Sequence, residues 1–347
     1  MKFSMRSVFL TAMMLTSMSV GCAVALAEST ATAPRTITVA LDGSGDFTSI
    51  QEAVDSAKKG ETVFLKPGIY PQDLTIHSKE GIKLVGAGVD QVTLLGHRDR
   101  VGVLHVGKWP YGATDIEIAG LTVNEHGGHA VGIFNGKRIT LRHLRVKGML
   151  FGQQVQDVRI ENCLIGGSET TGVQFADTQA VLIGNVIHDN DHGVNVAGKS
   201  EVRLERNVIT RNLYEAVVIG DGGKAVLISN TLVKNGGGAA FLGSSHNEVS
   251  GNIVSFNTIG FVIAPSSHTT LSFNGLFNKA GNYLKAGSPP LQAPELKPES
   301  DIAADPRFVD PEHDDFRLRH DTTLLNKGPF SYLGAQPPLP IPSSRHQ

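Results

Sequence analysis

Two cysteines, one tryptophan and an aromatic content of 6% are all that 347 residues supply, and each scarcity excludes something. Of the thiols, Cys22 lies in the N-terminal segment, leaving Cys163, which has no internal partner. A disulfide scaffold is therefore excluded and stability must come from packing. Cys163 follows Asn162 in an apolar stretch, so it is expected in the core. No run beyond the N-terminus is long and apolar enough to span a bilayer, so no membrane span is expected. An excess of positive charge is also missing. Without residues 1–27, which hold Lys2 and Arg6, 29 Lys plus Arg stand against 33 Asp plus Glu, a net of −4. That balance does not suit a nucleic-acid partner.

The N-terminus has the three parts of a secretory signal peptide: Lys2 and Arg6, the apolar run Val8 to Val20, and the small-x-small site Ala25-Leu26-Ala27. A mature chain starting near Glu28, in an extracellular or periplasmic compartment, is the expectation. Gly21-Cys22 also resembles the end of a lipobox, although Ser19 stands where a branched aliphatic residue is usual.

Glycine is abundant, with 39 residues, which points to many tight turns in a chain long enough for one large core. Periodicity then decides the fold. From residue 158 the chain reads VRIENCLI, VLIGNVI, VRLERNVI, VLISNTLV, VSGNIV and LSFNGLF. The asparagines fall at 162, 185, 207, 230, 252 and 274, a spacing of 22 or 23. Two earlier segments, IEIAGLTV and TLRHLRV, fit the template with Gly120 and His143 in the asparagine place. Asn190, Asn212, Asn235, Asn257 and Asn278 make a second column. Strands this short cannot bury an apolar side alone, but coils stacked at about 4.8 Å close a continuous core. The asparagines are read as structural: at each bend an amide side chain tolerates left-handed backbone and bonds its counterpart in the next coil. The expected fold is all-β, a single-stranded right-handed parallel β-helix of about ten coils of about 22 residues.

A third strand follows the second bend: GVQF, GVNVAG, EAVVIG, GAAFLG and GFVIA. Alternation places Val173, Val194, Ala216, Ala239 and Phe261 inside, with Phe175, Val196, Val218, Phe241 and Ile263. Gln174, Asn195, Val217, Ala240 and Val262 then point outward.

Before the repeats, Thr48 or Ser49 can cap a helix whose Ile50, Ala53, Val54 and Ala57 share one face and which Gly60 ends. It would cover the open end of the helix of coils, and TVFLKPG would start the first coil. This segment is similar to the N-terminal lead-in of pectinesterases, and the asparagine coils resemble the repeats of the pectin-lyase-like superfamily. ADPRFVDPEHDDFRLRHDTTLLNKG resembles a closing segment of secreted bacterial members. Together these resemblances cover most of residues 36 to 335. With the signal peptide over 1–27 and the Pro-rich segments SPPLQAPELKP and QPPLPIPSS read as linker and tail, the expected organisation is a capped β-helix over 36–287, a closing segment over 288–335 that folds back along the coils, and a Pro-rich tail over 336–347. Residues 96–114, which contain Trp109, lengthen one turn and form a candidate binding loop.

The superfamily resemblance implies a polysaccharide held in a groove outside one parallel sheet. Pectinesterases carry two aspartates, glutamines and an arginine there, whereas this chain offers Gln174 and Asn195 and then apolar residues. With no carboxylate pair, a pectinesterase is not expected. Ionisable residues gather at the bend before that strand: His188, Asp189, Asp191 and His192, joined by Arg211, Tyr214 and Glu215 from the next coil. Glu169, Lys234, His126 and His129 lie further out, and His313 in DPEHDD is read as structural. Lyases and epimerases of uronic-acid polymers need a cation at the substrate carboxylate, a base for the C5 proton and an acid. Arg211, His192 and Tyr214 could fill these roles, with Gln174, Asn195 and Trp109 binding substrate. Solvent-exposed turns also collect polar residues for no catalytic reason.

Three classes stay open: a lyase or epimerase of a uronic-acid polymer, a non-catalytic carbohydrate-binding or surface scaffold protein, and a periplasmic metal-delivery protein. The histidines and carboxylates permit the last, but no tight His-x-x-x-His pair or thiolate cluster supports a metal site, and the cofactor, calcium included, stays open at this point. A polysaccharide partner and a monomer are expected. Intact-mass measurement of exported protein should give an unlipidated chain beginning near Glu28; a diacylglycerol-modified Cys22 would show the lipoprotein route instead.

Overall fold

In a computed structural model, the residues described are 35–96 and 102–339, without the side chains of 126 and 127. The expected signal peptide and the last eight residues of the Pro-rich tail lie outside them. Residues 34–347 belong to one unit. Each coil has three faces. The first is an eleven-stranded parallel sheet from Thr36–Val39 to His268–Ser272. The second is a column of short strands such as Val186–His188 and Thr231–Val233. The third includes Thr171–Ala176, His192–Ala197, Glu215–Ile219, Gly237–Phe241 and Ile259–Ile263. The solenoid has about eleven turns, slightly more than the ten expected. Thr36–Val39 pairs in register with Thr62–Leu65, so the first coil starts before the helix, not at TVFLKPG.

That helix, Ile50–Ser56, is capped at Ser49, whose side chain accepts from Glu52 N, and it buries Ile50, Ala53 and Val54. In the first sheet Leu141, Ile160, Leu182, Leu204 and Leu227 stack in register, all fully buried. Stacking equivalent positions makes a hydrophobic column from strands that are individually too short, and each such side chain contributes roughly 1.5–3 kcal/mol.

The amide ladders differ in register from the expectation. In the first, the Nδ2 of Asn185, Asn207, Asn230 and Asn252 donates to the next Oδ1 at 2.9–3.0 Å. The ladder ends on Asp301, which accepts from Asn274 N at 2.8 Å. Asn162 is not a rung: it is exposed, and the residue bonded to Asn185 Oδ1 is Cys163 through its backbone N. The rungs do not adopt left-handed backbone either; the residue before each does. Asn162, Arg206, Ser229 and Phe273 have φ between 51° and 55°, with Gly184 and Gly251 in the equivalent places. Gly120 and His143 also occupy this left-handed position, so the ladder place in those coils belongs to buried Leu121 and Leu144. The physical reason is that one residue must reverse the chain while the following one points its amide inward. The second ladder runs from Asn190 through Asn212, Asn235, Asn257 and Asn278 to Asn282, with Nδ2–Oδ1 distances of 2.9–3.1 Å.

A second correction concerns the third face. Val194 pairs with Val217 and Asn195 with Val218, so Val217 is inside and Val218 outside. The coil bearing Glu215 has an extra residue at its bend, which shifts a strict count by one. The closing segment folds back over the second face, where Val208, Val233 and Ile253 pack against Phe308, Phe316, Leu318, Leu324 and Leu333.

Asn230 Oδ1 accepts from both Asn207 N and Asn207 Nδ2, and its own Nδ2 reaches Leu204 O. Asn230→Leu should therefore strand buried partners and cost on the order of 1–3 kcal/mol, whereas Asn162→Gly should leave the denaturation midpoint nearly unchanged. Chemical denaturation of both variants checks the register directly: equal losses would restore Asn162 to the ladder.

Candidate functional site

The bend cluster divides into two parts with different partners. In one, Arg211 Nε lies 3.0 Å from Asp189 Oδ1, and His188 Nδ1 lies 2.6 Å from Asp189 Oδ2. The same guanidinium reaches Asp314 of the closing segment. Partial burial raises the Asp189 carboxyl, but the hydrogen bonds from Arg211 and His188 outweigh it and hold the group below the usual range. The hydrogen bond to Asp189 leads the effects that raise Arg211 above its ordinary value. One coil on, Lys234 Nζ donates to Pro311 O at 2.6 Å. These contacts make Arg211 and Lys234 anchors for the Pro311–His313 turn. Arg211 is thus engaged on both sides, which a group waiting for a substrate carboxylate would not be. Asp191 lies at the same bend, half-buried, and its carbonyl accepts from Tyr214 N.

The other part faces the third-face groove. His192 and Tyr214 stack with ring centroids 5.1 Å apart, and Tyr214 is exposed. His192 Nδ1 is 3.3 Å from Glu215 Oε2, yet that buried nitrogen has no aligned hydrogen bond. The two observations agree on proximity and differ on angle, so a rotation of either side chain would complete a base–carboxylate pair.

Register places the outward residues of the third face in one column: Thr75, His105, Gly132, Phe151, Gln174, Asn195, Val218, Ala240, Val262 and Leu284. Its character changes along the axis. From Val218 onward it is apolar, and Ala240, Val262 and Leu284 bury one another in a small cluster. Towards the N-terminus it is aromatic and imidazole-rich: His105 lies 5.9 Å from Phe134, Phe134 5.8 Å from Phe151, and His129 stacks on Phe151 at 5.1 Å. The 107–112 loop rises beside it, presenting Trp109 at 73% exposure and Tyr111 at 62%. Gly107 permits this loop, because its φ is +83° and a Cβ there would run into the carbonyl oxygen of Phe134.

Two clefts follow. One of about 790 Å³ is lined by Gln51, Asp55, His77, His105, Lys108, Trp109, His129 and Gln153, among others. The next, about 550 Å³, shares His129 and continues to Glu169 and Thr170, and Thr170 O accepts from His192 N at 2.9 Å. Burial depresses the His105 imidazole, reinforced by the charge of His129 and opposed by Asp73. Burial likewise depresses His129. Both rings are therefore neutral proton acceptors at neutral pH.

Sequence reasoning chose Trp109, Gln174, Asn195 and His192 on this face but missed His77, His105, Phe134, Phe151 and Gln153. Their signal was the outward parity of the Leu74–Ile76, Leu104–Val106, Thr122–Phe134 and Arg145–Gln153 strands, hidden by coils that lack asparagines. Residues 97–101 and the His126 side chain lie outside the described residues. Among the described residues, no group of three or more His, Cys, Asp or Glu could hold a metal ion. A further concavity outside the first sheet is lined by the ion pair Lys224–Glu201 at 2.7 Å and by the stacked rings of His246 and His268.

A family described as "Right handed beta helix region" matches residues 105–212 and 148–289, over half of the chain. A probable pectinesterase/pectinesterase inhibitor of Arabidopsis thaliana is 35% identical over 81 residues, 21% of this chain and 15% of that protein. The chain therefore spans only a small part of the length of such relatives. Among solved structures, the enzymatically active domain of a bacteriophage CBA120 tailspike protein aligns with TM-score 0.57 and 13% identity, over 68% of this chain and 43% of that one. A pectate lyase aligns with TM-score 0.50 and 13% identity, over 89% and 97%. At such identity these structures speak for the fold alone. No helix among the described residues is long and apolar enough to cross a membrane.

Arg211→Ala and Asp314→Ala should each speed amide hydrogen exchange across 308–318 while lowering global stability by only about 0–1 kcal/mol, as partly exposed ion pairs do. Unchanged exchange in that segment would remove the anchoring role.

Proposed function

The chain belongs to the right-handed β-helix family and has the pectin-lyase-like fold, and from there we propose that it acts outside the cytoplasm on a polysaccharide lying along its third face. The observation that carries this is the aromatic and imidazole strip from Trp109 to Phe151, followed along the same face by Gln174 and then by the stacked pair His192 and Tyr214. Flat apolar rings interleaved with hydrogen-bonding groups suit sugar rings, which have an apolar face and a polar rim. The one thiol among the described residues, Cys163, is buried and pushed up to about 11 by that burial. It is inert, as suits an oxidising compartment.

Within this reading the reaction is that of a lyase or epimerase on a uronic-acid polymer. The C5 proton lies next to the sugar carboxylate, so its removal leaves charge delocalised onto that carboxylate. His192 is the base, Glu215 orients its imidazole through Nδ1, and Tyr214 is the acid that protonates the departing O4 or the opposite face of C5. Arg211 is not assigned to substrate, since Asp189 and Asp314 hold it. Positive charge on this face comes from Lys108, and from His105 and His129 only when they take up protons. A second reading, a non-catalytic carbohydrate-binding protein, is favoured by the apolar column from Val218 to Leu284, which offers nothing to a reacting centre.

Incubation with pectate, alginate and glycosaminoglycans should produce either the ultraviolet absorbance of unsaturated uronate ends or inverted C5 centres by NMR. On the responsive polymer His192→Ala and Tyr214→Phe should each lower turnover by about 10²–10⁴-fold with the melting temperature nearly unchanged. Binding without either product favours the second reading. Equal turnover by variants and parent would move the chemistry elsewhere.

A further inference from the structure

Trp109, His105 and His129 line one cleft three to four coils away from His192, and the chemistry assigned to His192 does not use them. The loop bearing Trp109 is short and braced: Gly107 N donates to Ile76 O at 2.7 Å, and Lys108 N to Tyr111 O at 2.6 Å. The loop backbone is fixed by these bonds, and it presents Trp109 at 73% and Tyr111 at 62% exposure side by side, an apolar surface next to the cleft. Opposite it the N-terminal helix supplies Gln51, whose amide is committed to Asp55 and to Thr75 O at 2.9 and 3.0 Å.

We propose that this cleft binds the carboxylate of a uronate residue together with protons, which His105 and His129 take up as the sugar ring settles on Trp109. The inference rests on the polysaccharide reading and names the class of sugar.

The charges around the cleft support an anion. Lys108, His77, His105 and His129 face it, and Asp55 is the one carboxylate among its lining residues. Lys79 Nζ donates to Asp55 O and Ala57 O at 2.6 and 3.0 Å. Asp73, which favours the charged form of His105, and Glu125 of the adjoining cleft are both engaged in interactions of their own.

His105 and His129 each disfavour the other's protonation because like charges close together repel. A carboxylate between them replaces that repulsion with two attractions. Binding anion and binding protons are then one linked equilibrium: the anion raises both imidazole pKa values, and acidification through the imidazole range tightens the anion. A neutral sugar gains nothing from this linkage. Charge-dependent affinity therefore separates uronates from neutral glycans at this cleft.

Trp109 is the sole tryptophan of the chain, so intrinsic fluorescence reports the cleft directly. The mature protein would be titrated with an oligogalacturonate and with its carboxyl-reduced counterpart, about one unit below and one unit above the ordinary imidazole pKa of about 6.5. The charged chain should shift the emission and bind about tenfold or more tighter at the lower pH, with proton uptake visible as a buffer-dependent binding heat. His105→Gln/His129→Gln should lose that tightening; if the double variant does not fold, His129→Gln alone should reduce it. A pH-independent affinity, or tightening that persists in these variants, overturns the inference. Equal binding of the carboxyl-reduced chain also overturns it and leaves the polysaccharide reading standing. No response to either chain at either pH also overturns it, while the polysaccharide reading is decided separately by the product assay on pectate, alginate and glycosaminoglycans.

Discussion

The regular coils depend above all on the side-chain amides stacked at two of their three bends. A parallel coil of about 22 residues must reverse direction three times, and each reversal turns backbone N–H groups inward, where water cannot reach them. The asparagine rung answers this with one group: its Oδ1 accepts the preceding rung's N and Nδ2, and its Nδ2 passes the bond onward, as from Asn207 to Asn230. A buried donor left unmade costs more than a made bond contributes, so the ladders fix where those two bends fall. Where Leu121 and Leu144 replace the rung, the coils become irregular, with longer strands such as Thr122–Phe134. Those irregular coils are the ones that build the aromatic strip.

Termination follows from the same constraint. The first ladder ends on Asp301, a carboxylate that accepts from Asn274 and from Tyr283 Oη at 2.9 Å. Burial raises its pKa despite those donors. The chain then returns along the second face, covering Val208, Val233 and Ile253, and the Arg211 and Lys234 contacts hold its turn in place. Charges that looked like a reaction centre on sequence grounds are therefore split by the return segment: Asp189 and Arg211 serve the seam, while His192, Tyr214 and Glu215 remain on the groove side.

Along the third face, one outward column passes from imidazole and aromatic to amide to apolar. Gln174 and Asn195 occupy the middle, where a pectinesterase would carry carboxylates. Their place between the Trp109 cleft and the apolar cluster gives the groove a chemical direction, aromatic and imidazole-rich at one end and apolar at the other. A neutral imidazole at His105 or His129 and a carboxylate-backed one at His192 are chemically different tools made from the same side chain by burial and partner.

The sequence alone determined the solenoid, its bend-to-bend period and the capping helix at Ile50–Ser56, because each is written in local periodicity or turn chemistry, whereas the closing segment was legible only through its resemblance to other members. It misplaced Asn162 and Val217 by one residue. A period of 22 or 23 does not say which of two adjacent bend residues is left-handed and which is the rung, and strict alternation cannot register the extra residue before Glu215. Only the tertiary structure decided that Arg211 faces Asp314, 103 residues away, and that His77, His105 and Trp109 share a cleft with Gln51. Those neighbours come from different coils and from the cap, and stacking rather than sequence spacing sets their distance.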